Sequence, residues 1–560
     1  MSGRCGEMLR VYNKTSLGGV RCVSISAPAA SRVEHTRSHA DTANVKFDDP
    51  KLAYQSRTTW EVFRSWMVLS FCKHEFLVDS SDKLIKFGRK VLGPKLFNRV
   101  MKKTFYGQFV AGENVDEIRP LIARMRRFGA SIILNYAVED DEQGSQQKKS
   151  GIMVQHEPKE DAGDVNLRYF MKCVDDMAEV TNGEGFAAIK VTALAKPETL
   201  TAMSDAIRKS QMFINHLLDR DAALPVTALN IPMDEMKRKL VEKGHDLGNV
   251  AVQAWLKGLA TRDDMVIDSL NWRDILDRKM SLDQMSLLPG NASGQFLSDE
   301  ERENAHNLAR RMDTIAEHAF RKKMRILVDA EQSYFQPAIA RFSLELMRRY
   351  NKEKPTIYNT YQCYLRDAHV NMMSHLELSR QEGFLFGAKV VRGAYIVLER
   401  ERAQSLGYPD PINPDFETTS RMYEKVVSAI LEDMLQRPGK ANIVIAGHNE
   451  HTVRWAIDKI RALNIPQKTK QLYFGQLLGM CDHLSFTLAH NGYNVVKCVP
   501  YGSVDEVLPY LIRRAHENRG FMEKTVKERR LLRRELYRRL REGALLYNPN
   551  DLDGVVPHRR

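Results

Sequence analysis

The segment FGAKVVRG, residues 386–393, is a short apolar run that gives way to Arg392 and Gly393. Seven more runs of this kind recur along the chain, and most are followed by a helical pattern: ASIILNYA (130–137), FAAIKVTA (186–193), MRILVDAE (324–331), TIYNTYQ (356–362), NIVIAGHN (442–449), LYFGQ (472–476) and NVVKCVP (494–500). Continuous hydrophobicity is typical of parallel strands that are buried on both faces. Eight strand–helix alternations predict an α/β fold, a (β/α)8 TIM-type barrel. A doubly wound open sheet is the alternative, but it usually carries GxGxxG after its first strand, and no such motif is present.

The regions outside these runs predict a further organisation of the chain. Residues 46–130 space their apolar residues at three and four, which predicts an N-terminal helical region. The barrel itself spans 131–520 and is interrupted by polar insertions near 138–165 and 233–300, the second predicted to be helix and loop. Residues 521–560 predict a basic helix and tail, with leucines among arginines at Leu531, Leu532, Leu536 and Leu540. This helix either packs on the barrel with a solvated outer face or contacts an anionic membrane surface.

The first 45 residues have the composition of a targeting segment. They are rich in Ser, Thr and Ala and poor in acids, with arginines at Arg4, Arg10, Arg21, Arg32 and Arg37. This pattern predicts a mitochondrial transit segment, and a disordered tail without an address is the alternative.

Composition narrows the functional class. The 560 residues are 43% hydrophobic and 28% charged, with a net charge of +13, which is ordinary for a globular protein apart from the excess of basic residues. Because these residues do not form one stripe interleaved with aromatics, nucleic-acid binding is not expected. The seven cysteines form no CxxC and none lies at zinc spacing from a histidine, which argues against a disulfide framework and against a metal site.

Polar residues follow the apolar runs at the point where each strand should end. In a barrel of this kind, catalytic residues cluster at the C-terminal ends of the strands. A ring of such residues is hard to explain as ordinary strand termination, and it comprises Lys190, Asp329, Glu331, Gln362, Lys389, Arg392, His448, Asn449 and Gln476.

Lys190 is the most informative member of the ring because it lies in an apolar strand. Burying its charge is costly, so it either reaches solvent at the strand end, binds a carboxylate or phosphate, or forms a Schiff base. Asp329 and Glu331 should point to opposite faces of a strand and therefore should not act as a matched acid pair. One of them either faces the barrel mouth and pairs with Lys190 or caps a loop.

A helix predicted from about Val504 carries Arg513, Arg514 and Glu517. Arg513 and Glu517 are four residues apart, so an ion pair would hold one guanidinium while Arg514 reaches the same ligand. RRxxE alone is typical of a solvated helix face, but its place after the eighth strand favours ligand binding. The residue types leave two barrel enzymes open, one with Lys190 as a Schiff base and one that holds a bound cofactor and an acidic substrate.

Longer motifs resemble the proline dehydrogenase family. They occur in the family's order and cover about residues 46–545: TFYGQFVAGE (104–113, similar to the eukaryotic branch), DAEQSYFQPAI (329–339), YNTYQCYLRDA (358–368), FGAKVVRGAYIVLERERA (386–403), YFGQLLGMCD (473–482) and VPYGSVDEVLPYLIRRAHEN (499–518).

The resemblance implies a distorted (β/α)8 barrel with non-covalent FAD, which oxidises L-proline to 1-pyrroline-5-carboxylate by hydride transfer to the flavin. Eukaryotic members lie on the matrix side of the inner mitochondrial membrane and pass electrons to ubiquinone. By motif, Asp329 and Lys389 would be catalytic, with Asp329 paired to Lys190. The substrate would be bound by Lys190, Tyr395, Cys498, Tyr510, Arg513, Arg514 and Glu517. FAD would be bound by Ala330, Gln362, Lys389, Arg392, Gly393, Ala394, Gly447, His448 and Gln476.

The chain departs from the family pattern at three positions. Lys389 and Ile396 stand where bacterial members carry Arg and Trp. Cys498 stands where proline-preferring members carry Tyr and the related hydroxyproline dehydrogenases carry Ser. Because cysteine is small but a weak hydrogen-bond partner, it opens space without clearly recognising a hydroxyl. The resemblance therefore implies L-proline as the substrate, with trans-4-hydroxy-L-proline as the alternative, and a Schiff-base lyase and an inactive scaffold remain alternatives of other classes.

Overall fold

The computed structural model describes residues 45–73, 81–136, 161–181, 183–222, 224–269, 297–520 and 522–551. The chain divides into two compact units, Met1–Asn44 and Val45–Arg560, and every described element belongs to the second unit. The predicted transit segment lies outside the described residues, as do most of the first insertion and the end of the second.

Eight parallel strands form a closed barrel, which confirms the predicted fold. Around the barrel the order is β1-β11-β10-β9-β8-β7-β6-β2, and each of the eight predicted runs supplies one strand. The strands of the described chain are β1 (Ala130–Tyr136), β2 (Phe186–Ile189), β3 (Thr227–Pro232), β4 (Ala260–Arg262), β5 (Met265–Asp268), β6 (Arg325–Val328), β7 (Ile357–Gln362), β8 (Phe386–Val391), β9 (Ala441–Ala446), β10 (Leu472–Leu477) and β11 (Val495–Tyr501).

Helices surround the barrel and extend it at both ends of the chain. Those of the described chain are α1 (Pro50–Tyr54), α2 (Thr59–Phe71), α3 (Ser81–Lys103), α4 (Phe105–Phe109), α5 (Val115–Arg127), α6 (Ala162–Thr181), α7 (Pro197–Leu217), α8 (Met233–Glu242), α9 (Val250–Gly258), α10 (Asp299–Arg321), α11 (Gln336–Tyr350), α12 (Ala368–Glu382), α13 (Ile396–Leu406), α14 (Phe416–Gln436), α15 (Glu450–Ala462), α16 (Asp482–His490), α17 (Leu508–Gly520) and α18 (Met522–Arg541). None of them, within the described ranges, is long and apolar enough to span a bilayer.

Aromatic side chains close the inside of the barrel at its N-terminal end. Phe186 makes edge contacts with Tyr358 and Tyr473, at centroid distances of 5.6 and 5.2 Å. The guanidinium of Arg325, the first residue of β6, lies 5.0 Å from the Phe186 ring centroid. Because Phe186 and Arg325 both begin their strands, this plug leaves the C-terminal end as the open mouth of the barrel.

A small sheet that the sequence did not reveal lies at the start of the second insertion. β3, β5 and β4 form a three-stranded antiparallel sheet, in which β4 and β5 lie where helix and loop were predicted and β3 lies just before residue 233. Two of these strands have only three and four residues, too few to show a period of two. The sheet is joined to the barrel helices by buried Asp268, which pairs with Arg341 and Arg348 of α11 at 2.8 and 2.6 Å.

The basic C-terminal helix α18 packs against the N-terminal helices rather than standing alone. Its Leu531 and Leu532 are buried with Ala53, Tyr54 and Val62, and Leu536 packs at the edge of the same cluster. Only Leu540, of the four leucines used to predict an apolar face, is largely exposed. The helix therefore uses most of its apolar face for folding.

Candidate active site

The C-terminal strand ends bring most of the predicted ring to the barrel mouth. Gln362 is the last residue of β7, Gln476 is the penultimate residue of β10, and Lys389 lies on β8. Three residues that the sequence placed within strands lie just beyond them: Lys190 follows β2, and Asp329 and Glu331 follow β6. Side chains beyond the last paired residue are free of the strict alternation used to predict their directions.

An ion pair between Asp329 and Lys389 crosses the mouth. The Lys389 ammonium donates to the Asp329 carboxylate, and both side chains are mostly buried. Their strands, β6 and β8, are separated by β7. The sequence predicted Lys190 as a partner of Asp329, and it did not predict this contact with Lys389. The two residues predicted to be catalytic are thus joined directly.

Cys498 on β11 lies in the field of the charges at this mouth. Burial raises the pKa of its thiol to about 11, while the positive charges of Lys389, Arg514 and Lys190 oppose this shift and the Asp329 carboxylate adds to it. The four charged groups that act on this thiol therefore lie near it. The structure therefore gathers Lys190, Asp329, Lys389, Cys498 and Arg514 around a single site.

Glu331 holds the loop that carries Lys190. Its buried carboxylate accepts hydrogen bonds from the backbone N–H and the hydroxyl of Thr192, the first of these at 3.0 Å. Burial raises the pKa of Glu331, and the nearby Lys190 charge opposes the shift. The Gln362 amide donates to the Glu331 carbonyl oxygen at 2.7 Å. These contacts give Glu331 and Gln362 a positioning role beside Lys190.

Helix α17 carries Tyr510 and Arg514, and the charge of Arg514 is one of those that act on Cys498. Arg514 is buried, and its Cζ lies 4.9 Å from the Tyr510 ring centroid. Positions 510, 513 and 514 share one helix face, and Arg513 is half-buried. The predicted Arg513–Glu517 ion pair falls on a side chain outside the described part of the chain. Tyr395, which immediately precedes α13, is also half-buried.

Arg392, after β8, forms a second cationic centre. Its Nη2 donates to Thr452 Oγ1 at 2.7 Å and to Ser420 Oγ at 3.3 Å, and its guanidinium lies over the Tyr423 ring at 4.9 Å. Burial lowers its pKa. Its Nε is buried and has no hydrogen-bond partner among the described residues. A buried cation with an unused donor is suited to an anionic ligand.

The loops after β8 and β9 leave room beside this guanidinium. A Cβ at Gly447 would lie 3.6 Å from Arg392 Nη1, so the glycine backbone lies directly beside the cation. Gly393 has φ +135°, and a Cβ there would lie 2.4 Å from the Tyr364 ring, so this position requires glycine. Ala394 is exposed and Ala330 is half-buried. Small residues thus line the arc that runs from β6 to β9.

Hydrogen bonds orient the polar residues after β9 and on β10. His448 Nε2 accepts the N–H of Leu477 at 3.0 Å, so the proton of a neutral His448 ring lies on Nδ1. The Gln476 Oε1 accepts from Ser485 at 3.0 Å, and its Nε2 faces the Gly447 carbonyl at 3.5 Å. The unpartnered Nε of Arg392 beside the small residues of this arc suits the anionic part of a bound cofactor.

Several positioning residues were not found from the sequence. Thr192, Ser420, Thr452 and Ser485 hold Glu331, Arg392 and Gln476 in place. Ser420, Thr452 and Ser485 lie on helices that follow the strands, so a search of strand ends cannot find them. The sequence offers a signal for Thr452 alone among these three residues. Asn449 is a typical N-cap residue, and in the structure its side chain accepts the Thr452 N–H, which places Thr452 in the first turn of α15.

Comparisons with known proteins agree on one family. The family profile described as "Proline dehydrogenase" matches residues 166–527. The human protein "Proline dehydrogenase 1, mitochondrial" is 38% identical over 549 residues, which cover 90% of this chain and 91% of the human protein. The "Hydroxyproline dehydrogenase" of Xenopus laevis is 33% identical over 520 residues, which cover 93% of this chain and 94% of the frog protein.

The solved structures show the same fold in a longer protein. A crystal structure of proline utilization A from Bdellovibrio bacteriovorus, inactivated by N-propargylglycine, matches with a TM-score of 0.50 at 16% identity. The match covers 84% of this chain, and the chain spans 38% of that longer protein.

Proposed function

The chain belongs to the proline dehydrogenase family and is an oxidoreductase, and we propose that it is a FAD-dependent enzyme that oxidises L-proline to 1-pyrroline-5-carboxylate. The observation that carries the proposal is the group of charges around Cys498. The positive charges of Lys190, Lys389 and Arg514 outnumber the one negative charge of Asp329 there, which suits a small ligand with one carboxylate.

The substrate carboxylate binds to the cations on the β2 and α17 sides of the mouth. Arg514 provides a guanidinium fork that is already held against Tyr510, and Lys190 provides a point charge on a loop held by Glu331. Arg513, on the same helix face, completes the set. Tyr510 and Tyr395 then form apolar walls for the ring of the imino acid.

FAD, when bound, supplies the acceptor for the hydride that leaves C5 of the substrate ring. Lys389, whose direction is fixed by the Asp329 carboxylate, would supply a positive charge that favours the negative charge of a reduced cofactor. Arg392, whose Nε has no hydrogen-bond partner among the described residues, and His448 would hold the cofactor's anionic part, beside the backbone of Gly447. Ala330, Gly393, Ala394, Gln362 and Gln476 complete the proposed cofactor arc.

The proposed final acceptor is ubiquinone, with the enzyme peripherally attached to the matrix side of the inner mitochondrial membrane. Support comes from the relatives in human, Drosophila melanogaster and Bos taurus, whose names include "mitochondrial". The arginine- and serine-rich first 45 residues agree with this location.

The second candidate substrate is trans-4-hydroxy-L-proline. Cys498 favours it because the half-buried thiol is small and leaves space beside the charges of Lys389 and Arg514. Two groups of curated relatives, named for proline and for hydroxyproline, match this chain at 38% and 33% identity, so identity alone does not choose between them.

An absorption spectrum followed by anaerobic titration tests the proposal. The purified protein should show a flavin spectrum that bleaches when L-proline or hydroxyproline is added. A colourless protein that borohydride and a carbonyl substrate modify at Lys190 would replace the proposal with a Schiff-base lyase. A flavin spectrum that neither imino acid bleaches would overturn the proposed substrate class while leaving the cofactor in place.

A further inference from the structure

Helix α3 is a hairpin with a strongly basic composition. Its residues 81–103 contain eight lysines and arginines and one aspartate. Gly93 has φ +69° and is followed by Pro94, so the helix breaks there into two halves. The Phe97 ring lies 3.2 Å from the position of a Cβ on Gly88 and 5.3 Å from Arg89 Cζ, so the halves fold against each other. We call residues 81–103 the basic hairpin.

The basic hairpin exposes an apolar surface. Phe87 and Val91, 66% and 62% exposed, share one face of the first half with Leu84, since these positions are three and four residues apart. Leu96 and Val100, four residues apart, are exposed on the second half. Lysines and arginines surround them and are themselves exposed, at Lys83, Lys86, Lys90, Lys95, Arg99 and Lys103. Apolar residues in such number are rarely left in water on one short element.

Charge indicates which partner covers this surface. A protein partner would need a matching acidic surface, whereas an anionic bilayer offers negative headgroups and an apolar layer beneath them in one place. The other basic helix, α18, has buried Leu531 and Leu532 against α1 and α2, so it lacks a comparable apolar face.

We propose that the basic hairpin is a docking surface for an anionic phospholipid bilayer, with Phe87, Val91 and their neighbours inserted between the headgroups. Lysine side chains extend to the phosphates while their apolar stems follow the inserted residues. This assigns the membrane contact to the N-terminal hairpin and not to the C-terminal helix.

The hairpin is attached to the part of the barrel that carries the candidate site. Arg89 forms an ion pair with Asp505, and Tyr106, just after the hairpin, donates to the Gly502 carbonyl at 2.7 Å. Gly502 and Asp505 connect β11, which carries Cys498, to α17, which carries Arg514. Docking therefore brings the barrel mouth near the lipid. The functional value of this placement rests on the proposed function, because a barrel mouth near the lipid helps electron transfer only if the electron acceptor is dissolved in the membrane.

The experiment measures flotation of the full-length protein with phosphatidylcholine vesicles that contain ~20 mol% cardiolipin. The test variant is Phe87→Asp/Val91→Asp. The matched control is Tyr537→Asp/Leu540→Asp on α18, whose positions are 66% and 61% exposed. We expect the hairpin variant to lower the vesicle partition coefficient at least ~tenfold and the control to change it less than ~twofold. Pure phosphatidylcholine or high salt should also release the wild-type protein.

Three outcomes would overturn the proposal: equal flotation of the hairpin variant and wild type, loss of flotation in the α18 variant alone, or a wild-type dimer in lipid-free solution that the hairpin variant converts to monomer. The last result would identify the surface as a contact between two copies of this chain. Bleaching of the flavin by substrate in lipid-free buffer is measured on the same samples. It reports on the proposed function separately, since neither variant touches the candidate site.

Discussion

At the scale of single residues, Cys498 is the position that we expect to influence the choice between L-proline and trans-4-hydroxy-L-proline. Replacing it with tyrosine fills the space beside Lys389 and Arg514. We expect Cys498→Tyr to reduce the ratio of kcat/KM for trans-4-hydroxy-L-proline to that for L-proline by ~10-fold or more, because a single pocket contact contributes 1–3 kcal/mol of discrimination, roughly. Steady-state kinetics with both substrates measures this ratio. Cys498→Ser, which keeps the volume small, is the control, and an unchanged ratio in the tyrosine variant would exclude this role.

The Asp329–Lys389 pair leads to a second prediction at this scale. Asp329→Asn removes the charge that holds the Lys389 ammonium across the mouth. We expect the loss of this preorganised charge to cost about 3 kcal/mol of transition-state stabilisation, so that the rate of anaerobic flavin reduction at low substrate falls roughly a hundredfold. Asp410→Asn, which breaks the exposed pair with Arg400 (3.1 Å), should have no effect. A normal rate in Asp329→Asn would show that Lys389 does not need its partner.

At the scale of elements, a buried acid lies where α18 meets the barrel. Burial and the charge of Asp482 raise the pKa of Glu528 to about 7, while Arg57 and Lys497 and the backbone N–H of Cys481 oppose the shift. Because the pKa is higher in the folded state, the stabilisation is complete below the unfolded value of 4.5 and is lost as pH rises to about 7. The full effect is about 3 kcal/mol.

Glu528→Gln removes this titration and tests the prediction. We expect the difference in Tm, variant minus wild type, to be larger at about pH 8 than at about pH 5. The reason is that at the higher pH only the wild type must ionise a buried acid. Differential scanning calorimetry at the two pH values measures the change. Glu401→Gln, at an exposed position of α13, should show the same Tm difference at both values. A pH-independent difference for Glu528→Gln would mean that another group controls the docking of α18.

At the scale of the whole molecule, the boundary at Val45 separates two units. Val45 and Phe47 belong to the buried core: Arg454 donates to the Val45 carbonyl at 3.0 Å and lies over the Phe47 ring at 4.8 Å. We expect a chain that begins at Val45 to keep the Tm and flavin content of the full chain. A chain that begins at Pro50 loses Phe47, at a cost of about 3 kcal/mol, and should melt at a lower temperature. Equal melting of the two truncated chains would contradict the role of residues 45–49.

Strands and helices differed in how far they were predictable. All eight barrel strands were found because buried parallel strands have continuous apolar runs, a local signal that survives in a single sequence. The sheet of β3, β4 and β5 was missed because its strands are short and partly exposed, so their hydrogen-bonded neighbours define them more than their composition does. The apolar face of α18 was recognised, but its partner, the pair α1 and α2, was not.

The candidate site shows the same division between local and non-local information. The sequence by itself determined that a barrel forms, that polar residues follow its strands, and which residue types are available to bind an acid and a cofactor. Only the tertiary structure decided that Asp329 contacts Lys389 across β7, that Glu331 holds the Lys190 loop, and that Cys498 lies among the charges. The physical reason is that hydrophobic periodicity is set by neighbours within a few residues, whereas a side-chain contact depends on where closure of the barrel places strands that are distant in the chain.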